Sequence, residues 1–167
     1  MIKKDFDILT PLAKLHRISR KIANMVDFEV SPGYWVDRND VGDLLTIKDT
    51  TTSVRYPALC LSSASKSESF MYDGLAAYES HDTKLGRITV IEEPGVRCHF
   101  GTSYFKNIPG VGDKITVIYG DPIKENNGKM NLLPATAGEY WVIGKCTAKD
   151  GGMIEITTTE PEKVTIV

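Results

Sequence analysis

The chain has 167 residues, of which 41% are hydrophobic and 25% charged, with a formal net charge of -2 at neutral pH. Such a chain suits one domain with a real core, is too apolar to stay disordered, and has no overall attraction for nucleic-acid phosphates. The charge is uneven: residues 1–26 carry Lys3, Lys4, Lys14, Arg17, Arg20 and Lys21 against Asp5 and Asp7, a net of +4 that leaves -6 on the remainder.

In chain order, Thr10-Pro11 reads as a helix start, with Thr10 as N-cap and Pro11 at the first helical position. Leu12, Leu15, Ile18, Ile22 and Met25 follow at three- and four-residue steps, which predicts one amphipathic helix over residues 11–25. Lys14, Arg17, Arg20 and Lys21 fall mostly off that stripe. A basic helix on an acidic body implies docking against an acidic surface, or else a solvated polar face. The division expected is therefore a basic N-terminal arm over 1–27 and a β-domain over 28–167.

Beyond the arm, β-branched and aromatic runs alternate with turn residues. Ser31-Pro32-Gly33 turns into a strand at Tyr34-Trp35-Val36. Strands are then expected at 44–47, 55–61, 88–91, 96–100, 114–118, 140–147 and 153–158, with a last edge strand at 164–167. The run Ser62–Ser69 is polar and small, and reads as a surface loop. Asn126-Asn127-Gly128 and Asp150-Gly151-Gly152 are hairpin signals, because Asn and Gly tolerate the positive φ of tight turns. The fold class expected is all-β, a sandwich or small barrel of short antiparallel strands with one N-terminal amphipathic helix.

Two phrases recur. Arg87-Ile88-Thr89-Val90-Ile91 returns as Lys114-Ile115-Thr116-Val117-Ile118, and Val41–Ile47 echoes Val111–Val117. Sheets draw on few residue types, so the echoes fit either chance or an internal duplication.

Chemistry-bearing patterns are sparse. Cys60, Cys98 and Cys146 are odd in number, far apart and set in apolar stretches, which implies buried thiols in a reducing compartment. Cys98-His99 lies on a strand, where neighbouring side chains point to opposite faces and cannot share one metal ion. Cys98 has Arg97 and His99 beside it, yet a small buried hydrophobe is the simpler role. His81-Asp82 has no serine in a nucleophile-elbow context. Glu92-Glu93 precedes Pro94-Gly95 and reads as a solvated turn. Gly110-Val111-Gly112-Asp113 opens a strand, not the helix that a phosphate cradle needs. No catalytic residue, cofactor or metal site is expected. No apolar run is long enough to span a bilayer and the N-terminus lacks a signal-peptide core, so a soluble protein is expected.

The aromatic pairs Tyr34-Trp35, Tyr104-Phe105 and Tyr140-Trp141 each place one ring inward and one outward on a strand. Outward rings stack bases or anchor a protein interface, and the acidic body favours interface or core. The interface residues expected are Lys14, Arg17, Arg20, Lys21, Tyr34 and Trp35.

The C-terminal half has a recognisable layout. Gly112-Asp113-Lys114-Ile115-Thr116-Val117 leads a strand and Gly128-Lys129-Met130-Asn131-Leu132 follows a turn; Trp141–Cys146 and Met153-Ile154-Glu155-Ile156 then form a closing hairpin. With Gly33-Tyr34-Trp35-Val36 and Tyr56-Pro57-Ala58-Leu59 upstream, residues 28–160 resemble the head decoration, or capsid cement, proteins of tailed bacteriophages. The resemblance implies a non-enzymatic virion protein, made in the host bacterial cytoplasm, that binds the outer capsid surface and stabilises the shell. Its implied partners are the major capsid protein and further copies of itself, as a trimer or dimer, with no membrane partner. Alternatives are a tail or baseplate β-protein, or a single-strand-binding OB-like module.

Overall fold

A computed structural model describes residues 5–23, 30–47, 53–61 and 86–167, the side chain of Leu12 aside. Among the described residues, eleven strands form two antiparallel sheets. One sheet has the order β1 (Phe6–Ile8), β7 (Arg97–Gly101), β11 (Met153–Ile166), β10 (Gly138–Asp150), β8 (Lys114–Val117), β9 (Met130–Leu132). The other has the order β2 (Ile18–Lys21), β6 (Arg87–Ile91), β5 (Pro57–Cys60), β3 (Trp35–Arg38), β4 (Leu44–Thr46). The all-β expectation holds, as two sheets and not a closed barrel.

The main core lies between the sheets. The six-stranded sheet contributes Cys98, Phe100, Ile115, Val117, Met130, Cys146, Ile154 and Ile156, and the five-stranded sheet Trp35, Leu59 and Ile91. These alternate along their strands with outward residues, the two-residue period that sets register. The five-stranded sheet also curls. Its two edge strands meet at a parallel bridge between Ile22 and Leu44, where the Ala23 amide donates to the Leu44 carbonyl at 2.9 Å. The concave face encloses a second core of Ile22, Val30, Val36, Leu44, Ala58, Cys60, Ile88 and Val90. Strand β6 thus has both faces buried, which explains its unbroken β-branched run.

The expected helix over 11–25 is not formed. Leu12–Lys14 make one 3₁₀ turn, and Ile18–Lys21 are β2, paired with Arg87–Val90. Residues 24 and 25 lie outside the described residues. A four-residue step is a multiple of the strand period as well as near one helical turn, so Ile18 and Ile22 share a face in either state. The β-branched isoleucines and the paired backbone of β6 decide for the strand. Thr10 caps nothing: its hydroxyl accepts the Arg97 amide at 2.8 Å, while Leu9 N donates to the Arg97 carbonyl. Phe6–Ile8, not expected as a strand, edges the six-stranded sheet against β7. The described part of residues 1–27 is therefore bonded into both sheets.

The C-terminal hairpin is longer than expected. Asp150 pairs with Met153 across a two-residue turn in which Gly151 and Gly152 have φ of 53° and 85°. The expected edge strand at 164–167 is the continuation of β11, paired back to Gly138–Trp141. A register shift between Val142 and Gly144 keeps Ile143 in the core, and a Cβ on Gly144 would meet the Thr157 carbonyl oxygen at 2.8 Å. Asn126-Asn127-Gly128 ends a longer loop between β8 and β9 and does not make a two-residue turn. The recurring phrases occupy different places: β6 lies between β2 and β5 in the curled sheet, and β8 lies between β10 and β9 in the other. Ser62–Ser69 lies outside the described residues.

Candidate functional site

The i, i+2 period carries each apolar position of the concave face on to a polar one at its end. Val36 leads to Arg38 on β3, Ile88 and Val90 lead to Glu92 after β6, and Ala58 and Cys60 are preceded by Tyr56. On β2, Arg20 sits between Ile18 and Ile22. These four side chains converge. The Glu92 carboxylate, 8% exposed, accepts from Arg20 through both oxygens, at 2.5 Å from Nε and 2.8 Å from Nη2. It also accepts from Arg38 Nη1 at 2.8 Å. The Arg38 guanidinium stacks 4.0 Å above the centroid of the Tyr56 ring. The Glu92-Glu93 pair is therefore no solvated turn: Glu92 is the buried centre of an ion cluster, and Glu93 accepts the His16 amide at 2.6 Å.

Above this floor is a cleft of about 440 Å³, rimmed by Asp40, Val41 and Arg55. Arg55 pairs with Asp40, and both side chains are well exposed. The segment that brings Arg55 and Tyr56 here is fixed by buried Asp37, whose Oδ1 accepts both their amides, at 2.9 and 3.1 Å. Burial pushes the Asp37 carboxyl above its usual range, and those two amides hold it back. Burial, and then Glu160, which accepts from the hydroxyl at 3.3 Å, push the Tyr56 phenol up.

Of the residues expected at an interface, Arg20 lies in this cluster. Lys14 and Arg17 are exposed on the approach to β2, and Lys21 is exposed at its end. Tyr34 is half-buried against Tyr104, with ring centroids 5.3 Å apart. Trp35 is buried in the main core. It also lines a second cleft of about 320 Å³, and its Nε1 is a buried nitrogen without a hydrogen-bond partner among the described residues. Arg38, Arg55, Tyr56 and Glu92 were not expected at a site. Their signal is a charge or phenol placed in step with buried residues on the same strand face.

Elsewhere the polar groups brace the sheets. On the outer face of the six-stranded sheet, Glu155 accepts from Arg97 and from the Thr147 hydroxyl, and the Arg97 bond is the main force holding its carboxyl below the usual range. Cys98 points into the core beside it, with burial and then Asp7 pushing its thiol up to about 12, which removes the thiolate a nucleophile needs. All three cysteines are buried and outside any disulfide. His81 and Asp82 lie outside the described residues. Among the described residues no group of three His, Cys, Asp or Glu side chains is placed to hold a metal ion, and no helix is long and apolar enough to cross a membrane.

No family model, curated protein or solved structure matches the chain. A buried carboxylate fixes two guanidinium groups, one of them stacked on a phenol ring, so the arginines are held in place with little side-chain freedom left.

Proposed function

We propose that the chain is a non-enzymatic structural protein of a tailed-phage particle, which binds the outer face of the capsid and stabilises the shell. The observation that carries this reading is the cleft of Arg20, Arg38, Arg55 and Tyr56, built on the end of a doubly packed sheet. A protein that reinforces a shell needs a stiff scaffold and a fixed contact surface, and this cleft with the cross-braced sandwich beneath it supplies both. The layout of residues 28–160 supports the same reading. On this view the partners are the major capsid protein and other copies of this chain, as a trimer or dimer.

Quantitative mass spectrometry of purified particles from the source phage tests it. A copy number comparable with the major capsid protein is expected. A handful of copies would move the protein to the tail or baseplate, and absence from particles would end the structural reading.

A further inference from the structure

We infer that Asn127-Gly128, the one Asn-Gly step in the sequence, is a latent deamidation site that the native fold keeps silent and whose conversion loosens a contact between the two sheets. The inference stands apart from the particle reading and needs no partner.

In an unconstrained chain the Gly128 amide nitrogen loses its proton to hydroxide and attacks Cγ of Asn127. The new N–Cγ bond closes a five-membered succinimide as the Cγ–Nδ2 bond breaks and ammonia leaves. Water then opens the ring at either carbonyl, giving aspartate or isoaspartate at position 127. Glycine after the asparagine favours the attack, because it has no Cβ to hinder the nitrogen or restrict its rotation.

The native loop denies each requirement of that reaction. The nucleophile is occupied: Gly128 is buried, and its N–H donates to the Ile118 carbonyl at 2.9 Å. The electrophile is tied down. Asn127 is 3% exposed, its Oδ1 accepts the Asp121 amide at 2.8 Å, and its Nδ2 donates to the Asp121 carbonyl at 3.0 Å. Turning the side chain toward the main chain would leave both Asp121 peptide groups unsatisfied. The backbone also faces the wrong way. Ring closure needs the Gly128 nitrogen eclipsed with Cβ of Asn127, and an extended ψ of 129° turns it aside.

Gly128 is also a strut between the sheets. Its carbonyl, in the loop between β8 and β9, accepts the Trp35 amide of β3 at 2.8 Å. The fit is close, since a Cβ on Gly128 would meet the Trp35 carbonyl oxygen at 3.0 Å. Isoaspartate lengthens the main chain by one methylene immediately before this contact. Aspartate keeps the length but turns the Nδ2 donor into an acceptor facing the Asp121 carbonyl. Either product gives up a buried native hydrogen bond. The reaction therefore waits for the loop to open, and its rate reports that opening.

Peptide mass spectrometry of the full chain, incubated in mildly alkaline buffer with and without urea, tests this. Conversion at position 127 should be at least about a hundredfold slower in the folded chain than in urea. Lys106→Gln removes the 2.6 Å ion pair that braces Asp121, and should speed the native reaction severalfold while leaving the rate in urea unchanged. Asn127→Asp should lower the thermal unfolding midpoint, and Asn107→Asp, at an exposed position, should leave it unchanged. Native and urea rates within about twofold of each other would overturn the silencing. An unchanged native rate in Lys106→Gln would overturn the local opening of the loop, and an unchanged midpoint in Asn127→Asp would overturn the loosening.

Discussion

The indole N–H of Trp141 donates to the Val54 carbonyl oxygen at 2.7 Å, across 87 residues of sequence. Trp141 stands on the part of β10 that pairs with the last residues of β11, and Val54 leads into the Arg55-Tyr56 segment of the curled sheet. The Tyr56 ring meets the Trp141 ring edge-on, with centroids 6.1 Å apart. One side chain therefore clamps the C-terminal ribbon to the segment that builds the cleft.

Trp141→Phe keeps a ring but loses the hydrogen bond, and should cost about 1 kcal/mol of stability. Trp141→Ala also removes the packing and should cost about 3 kcal/mol. Urea unfolding of both variants checks the order. Equal losses would mean that the hydrogen bond, and not the ring, holds the ribbon.

Glu92→Gln keeps shape and leaves two guanidinium groups facing a neutral amide. Removing one partner from a buried charge cluster costs about 3–5 kcal/mol; Arg20 and Arg38 are partly solvated, so about 2 kcal/mol is expected. The loss should persist in high salt, because the buried carboxylate is poorly screened. A loss below about 0.5 kcal/mol would contradict the cluster's structural role.

Cys98 should resist thiol reagents in the folded protein at pH 8, since its thiol is fully buried and pushed up to about 12. Labelling followed by mass spectrometry of the Cys98 peptide checks this. Modification should appear only in denaturant, and rapid modification of the native chain would contradict the packing of β7.

Acid stability follows from the carboxyl groups. The Lys106 hydrogen bond, followed by the Ile123 amide, holds Asp121 below its usual range, and Arg97 does the same for Glu155. Their folded forms bind protons more weakly than the unfolded chain. The stability they supply is complete above the unfolded value near 4 and is lost as pH falls through their lower folded values. Asp37 has the opposite sign: its raised folded value means that acidification from neutral pH stabilises the fold until the unfolded group also protonates. Unfolding midpoints between pH 7 and 3 should rise slightly and then fall. Asp37→Asn should remove the rise, and Asp121→Asn should flatten the fall.

Much of the fold was legible from local signals. Strands β6, β8 and β11 follow β-branched runs, and Asp150-Gly151-Gly152 fixes its hairpin by turn chemistry alone. The N-terminus misled because the spacing of Ile18 and Ile22 satisfies both periods, and only pairing with β6, about 70 residues away, decides between them. The site was harder for a related reason. Glu92 beside Glu93-Pro94-Gly95 looks like a turn until the curl of the sheet places it in line with Ile88 and Val90, under arginines from two other strands. Curvature is a long-range property that no single strand encodes.

We propose that this chain attaches to a capsid through the arginine cleft. Co-sedimentation with purified shells of the source phage stripped of this protein tests it most directly. The account predicts saturable binding at a fixed ratio to the major capsid protein, weakened about tenfold by Arg55→Gln and unchanged by Lys14→Gln. A chain that stays in the supernatant, or binds equally well without Arg55, would contradict it.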